Sequence, residues 1–215
     1  MNKRISLNDA IAKIEDGQTI MIGGFLAVGT PEKLIDALVE SGRKDLTIIA
    51  NDTSYVDRGI GKLIVSRQVK KVITSHIGTN KETGSQMLSG ETEVILTPQG
   101  TLVEQIRAAG AGLGGVLTKT GLDTRVEEGK TKIDIDGETY LLEKPLKADV
   151  ALIFASKADE FGNATYHGST QNFNIVMAMA AQTVIMEPVE IVPLGGISQD
   201  EVRLPGIFVD YMVEV

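Results

Sequence analysis

Apolar residues along the chain follow two rhythms. Short runs rich in β-branched residues, at Gln18 to Ile22, Leu46 to Ala50, Val69 to Ile77 and Glu93 to Thr97, read as strands. Between them, apolar positions recur three and four residues apart. Ser6 to Glu15 predicts a helix with Ser6 as N-cap and Ile11 and Ile14 on one face. A second helix is predicted with Thr30 as cap and Pro31 at its first position, where a missing N–H is no loss. It turns Leu34, Ile35, Leu38 and Val39 inward and ends at Gly42. Gly100 to Ala109 reads as a third helix. Strands alternating with helices predict an α/β fold, an open and mainly parallel sheet with helices on both faces.

The second half keeps this rhythm with one interruption. Thr131 to Glu143 alternates polar and apolar residues around Asp136-Gly137, which predicts a β-hairpin excursion. Further strands are expected at Val150 to Ala155, Thr183 to Met186 and Ile207 to Val213, and Asn172 or Asn174 is expected to cap a helix running to Gln182. No low-complexity linker or internal repeat divides the sequence, so residues 1–215 read as a single domain.

Composition narrows the chemistry. A chain of 215 residues needs no covalent staple, since it buries roughly 70% of its unfolded surface. It contains no cysteine, which removes disulfides, a thiol nucleophile and thiolate metal ligands, and which suits a reducing cytoplasm. The basic start Met1-Asn-Lys-Arg leads into a polar helix rather than an apolar segment, unlike a signal peptide, and no apolar run nears the ~20 residues of a membrane span. A net charge of −8 argues against nucleic acid as a partner and leaves any anionic ligand to be met by local N–H groups and single Lys or Arg residues. Two histidines argue against a multi-histidine metal site.

The most informative stretch runs from Asp16 to Pro31. The strand residues Ile20, Met21 and Ile22 lead straight into Gly23-Gly24-Phe25; Gly29 follows, and Thr30-Pro31 opens a helix. Two glycines at a strand end let the backbone turn sharply or lie against a ligand, and ligands of open α/β sheets bind at the carboxyl ends of strands. Gly23, Gly24, Phe25, Leu26, Ala27, Val28 and Gly29 are therefore candidate binding residues, with a side chain at Gly24 expected to enter the ligand path. A plain strand-to-helix turn is the competing reading.

Other motifs are weaker. Gly110, Gly112 and Gly115 spell G-x-G-x-x-G, but a dinucleotide site needs a strand before the motif and a helix after it, and here the order is reversed. The Gln99 amide, in Thr97-Pro-Gln-Gly100, either donates to a carbonyl oxygen that gains charge or satisfies a local turn. Asn51-Asp52-Thr53 stands at a strand end, but such residues also serve ordinary turns and caps, and they are left out of the site. His76 and His167 show no paired base or nucleophile and read as structural, and Met177, Met179 and Met186 read as core. Arg107, Lys119 and Arg125 flank the glycine loop and serve either phosphates or plain solvation.

Taken together, Asp16-Gly17, Ile20 to Ile22, Gly23-Gly24-Phe25, Gly29 and Pro31 make a signature, and the similarity continues through Leu46 to Thr53, Ser75 to Asn80, Thr97 to Leu102 and Gly110 to Gly115. In these residues, and over nearly its whole length, the chain resembles the family I coenzyme A transferases, on the side of their α subunits. The resemblance implies a heterotetramer of two α and two β chains with the active site between unlike chains. CoA is then a co-substrate, with no metal or prosthetic group, exchanged between an acyl-CoA and a short-chain acid of the acetoacetate, acetate or butyrate type. Gly23 to Gly29 would shape the CoA and acyl passage through backbone N–H groups, the Gly110 to Gly115 loop would line the same cleft, and Gln99 would hold the thioester carbonyl. In this family the nucleophile is a glutamate in a Ser-Glu-Asn-Gly motif of the β part, which passes through a glutamyl-CoA thioester. That tetrapeptide is absent here; Glu15-Asp-Gly17 and Glu127-Glu-Gly129 are the nearest look-alikes, so the nucleophile is expected on the partner. Two departures from the pattern are Leu113-Gly-Gly-Val116, where many relatives carry Ile-Pro-Ala-Phe, and Asp123 in place of a glycine. Two other readings stand beside this one. A non-catalytic CoA- or nucleotide-binding regulatory module would bind ligand without turnover. A sugar-phosphate isomerase-like enzyme would need an acid–base pair within the chain, and none is evident.

Overall fold

Every second residue of the central strands faces the same side of one sheet, and that simple alternation builds two cores. A computed structural model describes residues 3–214; Met1, Asn2 and Val215, and with them the first residues of the predicted leader-free start, lie outside the described residues. The first half contains β1 (Arg4–Ile5), α1 (Leu7–Ile11), β2 (Thr19–Ile22), α2 (Glu32–Ser41), β3 (Leu46–Ile49), α3 (Gly61–Val65), β4 (Val69–Thr74), α4 (Lys81–Ser89), β5 (Glu93–Leu96) and α5 (Gln99–Gly110). The second contains β6 (Val116–Thr118), β7 (Thr131–Ile135), β8 (Glu138–Glu143), β9 (Ala148–Ala155), β10 (Lys157–Asp159), β11 (Ala164–Thr165), α6 (Asn174–Ala178), β12 (Ala181–Pro188), β13 (Ile191–Val192) and β14 (Tyr211–Val213).

Eight strands form the main sheet in the order β1-β14-β12-β9-β2-β3-β4-β5, and every neighbouring pair is parallel. Ile20, Ile22, Ile48, Val150 and Leu152 face one side, where Leu34, Leu38 and Leu63 of α2 and α3 cover them. Met21, Ile49, Ala151, Ile153 and Met186 face the other, under Leu102 and Ile106 of α5 and Val176 and Met177 of α6. Burying each large aliphatic side chain contributes about 1.5–3 kcal/mol over leaving it exposed, so both layers are held mainly by this alternation. The predicted hairpin is present as β7 and β8, turning at Asp136-Gly137, with β6 added to its β8 side. A small sheet of β11, β10 and β13 completes the strands.

Several boundaries differ from expectation. α1 stops at Ile11, although Ser6 does cap it by accepting the Asp9 N–H at 3.1 Å. α2 begins at Glu32, with Pro31 in the cap position and Thr30 outside the helix. Its first N–H groups are satisfied from a distance: the Glu187 carboxylate at the end of β12 accepts from Leu34 at 2.8 Å and from Lys33 at 3.3 Å. Burial of that carboxyl raises its pKa against the opposing pull of these two hydrogen bonds. The helix expected to run to Gln182 is only Asn174–Ala178, and neither Asn172 nor Asn174 caps it, because both side chains bond across to the loop after β2. Ile207 to Val213 is strand only from Tyr211 onward; Gly206–Phe208 is a 3₁₀ turn. α3 and α4 were not anticipated. In α4 the apolar residues Met87 and Leu88 are exposed, so no buried stripe marks it, and its local signal is the Asn80 cap, which accepts from Glu82 and Thr83.

Candidate active site

From β2 the chain winds outward through β3, β4 and β5, and from β9 it winds the opposite way through β12 and β14. The two halves meet between β2 and β9, the place where an open α/β sheet ordinarily leaves a ligand crevice at its carboxyl edge. Here the chain fills it. Asn174 is fully buried at this seam; its Nδ2 donates to the Gly29 and Thr170 carbonyls at 2.9 and 2.8 Å, and its Oδ1 accepts the Phe154 N–H at 2.9 Å. Asn172 Oδ1 accepts the Gly24 N–H at 3.0 Å, and its Nδ2 donates to the Val28 carbonyl at 2.9 Å.

This seam explains the glycine pair. A Cβ on Gly23 would stand 1.8 Å from Asn174 Oδ1. One on Gly24, where φ is +130°, would stand 1.9 Å from Thr30 Oγ1. A side chain at either position therefore meets the protein's own interior, not an open ligand path. The amides of Gly23, Gly24, Phe25, Leu26 and Val28 all donate within the chain, to Leu152 O, Asn172 Oδ1, Val28 O, Asp52 Oδ2 and Phe25 O respectively. These five N–H groups are thus engaged inside the fold.

The open space lies to one side of the seam. A cleft of about 400 Å³ is lined by Phe25, Leu26, Asn51, Asp52, Ser75, His76 and Gln99, two residues from the loop after each of β2, β3 and β4 and the first residue of the helix after β5. Phe25 to Val28 form a tight turn closed by paired bonds of 3.0 and 2.9 Å, with Leu26 and Ala27 in the left-handed region at φ 47° and 69°. Such conformations cost roughly 1–2 kcal/mol per non-glycine residue and persist only when the surroundings enforce them. Asp52 does so by accepting the Leu26 N–H at 3.0 Å.

Behind this turn runs a chain of side chains. Asp52 Oδ2 also accepts from Asn51 Nδ2 at 2.6 Å, and its Oδ1 accepts the Ser54 N–H at 2.7 Å. Asn51 Oδ1 accepts from Gln99 Nε2 at 2.6 Å, and Ser75 Oγ donates to the Asn51 carbonyl at 2.6 Å. Gln99 is the first residue of α5, not a turn residue. One of its two amide hydrogens is engaged by Asn51, which aims the group and leaves the second hydrogen for another acceptor. The amino end of α5, which has no side-chain cap and no acidic residue in its first turn, stands at the same place and favours negative charge there.

Asn51 and Asp52, which sequence reasoning left out, are thus central to the cleft; their position after β3 was the usable signal. His76, expected to be a satisfied structural residue, is exposed and lines the cleft. His167 is also exposed, in a separate hollow with Tyr166 and Arg203. The Gly110 to Gly115 loop joins α5 to β6 and does not line the cleft; Gly110 packs against Met179 and Gly115 against the Glu143 carbonyl. Arg107 pairs with Glu104 and Lys119 with Glu138, so both face acids of their own surface. Glu127 lies in the region of the hairpin sheet, held by the Asp123 N–H and Lys132, which lower its pKa. No glutamate lines the cleft.

A family profile described as coenzyme A transferase matches residues 4–215. The acetate CoA-transferase subunit alpha of Escherichia coli K12 is 55% identical over 211 residues, 98% of this chain and 96% of that one. The chain belongs to the coenzyme A transferase family. The acetoacetyl-CoA:acetate/butyrate CoA transferase alpha subunit of Clostridium acetobutylicum is 55% identical to this transferase chain over 213 residues, 99% of it and 98% of the relative. Among solved structures, an acyl-CoA transferase of Escherichia coli O157:H7, a thioester complex with CoA, matches it with a TM-score of 0.88 and 24% identity. That match covers 100% of the transferase chain and 47% of the other, so the chain spans about half of that longer protein, and the likeness is one of fold.

Proposed function

We propose that this chain is the non-nucleophilic α subunit of a CoA-transferase that exchanges CoA between an acyl-CoA and a short-chain carboxylic acid of the acetate, butyrate or acetoacetate kind. One observation carries the reading: a cleft with an aimed amide at Gln99 and an uncapped helix end, yet no glutamate among its lining residues. Such a cleft steadies a carbonyl oxygen that gains charge but supplies no attacking carboxylate. The attacker then belongs to a β subunit. Its glutamate adds to the acyl-CoA carbonyl, giving an acyl-glutamyl anhydride and CoA thiolate. The thiolate returns to the glutamyl carbonyl, releasing the first acid and leaving a glutamyl-CoA thioester. The acceptor acid runs these two steps in reverse.

In this scheme the second amide hydrogen of Gln99 meets the carbonyl oxygen. Phe25 and Leu26 wall the acyl passage, carried on the Gly23 to Gly29 segment whose glycines let the turn sit there. Phe25, Val28, Tyr55 and Val56 are 43%, 44%, 37% and 39% exposed on two turns, each closed on itself (Phe25 to Val28 and Tyr55 to Arg58), and we read these apolar side chains as suited to a second chain. We read the assembly as two α and two β chains. The chain lacks cysteine, and no helix of the described residues is long and apolar enough to cross a membrane; we place the enzyme in the cytoplasm. The test is direct. Purified alone, this chain should transfer no CoA, and mixing with a β chain should restore transfer. Turnover by the single chain would remove the split site.

A further inference from the structure

One acidic side chain lines the cleft. Asp52 is 6% exposed, lines the cleft, and accepts hydrogen bonds from Leu26 N–H, Asn51 Nδ2 and Ser54 N–H, all uncharged donors. Among the described residues no lysine or arginine lines the cleft to balance it, and His76 is the other titratable residue there. Only the Asn51 carboxamide separates Asp52 from the Gln99 amide, through two bonds of 2.6 Å. Resting on the proposed function, an acyl group whose carbonyl meets Gln99 brings its tail toward Asp52.

We infer that Asp52 sets acid selectivity, excluding acids with a second carboxylate from the cleft and so restricting the enzyme to monocarboxylates. Butyryl and succinyl groups have the same length; one ends in a methyl and the other in a carboxylate. The methyl packs beside Phe25 and Leu26. The carboxylate is brought near a like charge in a half-enclosed site, where the repulsion is far less screened than in water and lowers kcat/KM by roughly tenfold or more. The three donors on Asp52 are fixed by the fold, so the carboxylate does not swing away. Asp52 thus has two duties in one position: it holds the Phe25 to Val28 turn, and it places charge where the tail ends.

The test uses the complete complex with its β partner at one fixed pH. Three acceptor acids are compared by kcat/KM: butyrate, succinate and monomethyl succinate, the last keeping the four-carbon chain of succinate, with its second charge removed as an ester one methyl longer. The wild type should prefer monomethyl succinate over succinate by roughly tenfold or more, and in Asp52→Asn that preference should collapse toward parity. The ratio is taken within each enzyme, so a general loss of activity in the variant cancels. Equal use of the two acids by the wild type, or an undiminished preference in Asp52→Asn, overturns the inference. If the variant does not fold, equal use of the two acids by the wild type still overturns the inference, and Asp52→Ser, which removes the charge but keeps a hydrogen-bonding oxygen, takes the place of Asp52→Asn. A wild-type complex that transfers CoA to none of the three acids, nor to acetate or acetoacetate, overturns the proposed function itself and this inference with it.

Discussion

Consider Gly23→Ala. The new Cβ would lie 1.8 Å from Asn174 Oδ1 and 2.6 Å from its Cγ, so the asparagine must move. It is fully buried and holds three backbone groups, the Gly29 and Thr170 carbonyls and the Phe154 N–H. A buried polar group that loses its partner costs about 1–3 kcal/mol, and two or three such losses sum to roughly 3–5 kcal/mol. For a chain of 215 residues that lowers Tm by roughly 10 °C. Asn174→Ala alone removes the same hydrogen bonds but also vacates the space. The double variant Gly23→Ala/Asn174→Ala should therefore be little worse than Asn174→Ala, a coupling of roughly 3–5 kcal/mol between the two sites, equal to the whole cost of Gly23→Ala alone. Urea unfolding of the four proteins, followed by far-UV circular dichroism, measures this cycle. Additive losses, or a Gly23→Ala protein as stable as the wild type, would refute the claim that the glycine exists to admit the asparagine.

Gln99→Ala should slow transfer by the complete complex by ~10²-fold or more without lowering Tm, since the side chain is exposed at a helix start and its role is to steady the carbonyl oxygen; turnover near that of the wild type would leave Gln99 as a helix-start residue only. Glu187 carries a pH signature. Its pKa is raised by burial, so the native state holds the proton more tightly than the unfolded chain does. Its contribution is thus complete below the ordinary glutamate value of about 4.5 and declines as pH rises through the higher native value. Glu187→Gln should therefore gain stability relative to the wild type as pH increases across that window. A difference between the two urea midpoints that is flat with pH would show that the cap is not proton-linked.

The sheet was legible because its strands are buried on both faces and read as apolar runs of the right length, and α2 and α5 because each sets an apolar stripe against one face. α4 was invisible for the opposite reason: Met87 and Leu88 face solvent, and the helix is specified by the polar Asn80 cap. Asn172 and Asn174 were read as local caps because sequence spacing cannot show a partner 144 or 145 residues away, which is where Val28 and Gly29 lie. The glycine pair was correctly located but its cause lies in that same distant contact. At the cleft, the Phe25 turn was singled out from its strand-end glycines, whereas Gln99 stood between a turn and a substrate contact until the family resemblance favoured the second. Asn51, Asp52 and His76 were not singled out, since each residue type has a common local use, and only the parallel order of β2, β3, β4 and β5 brings the ends of four separate segments together.

The stoppered notch between β2 and β9 has a consequence for how any substrate gets in and out. With the central doorway of the sheet closed from within by two amide side chains, the open cleft lies to one flank, over the ends of β2 to β5. In the split-site scheme proposed above, the subunit that seats on that flank would govern entry, water exclusion and product escape, and the lone chain would be a half-built chamber.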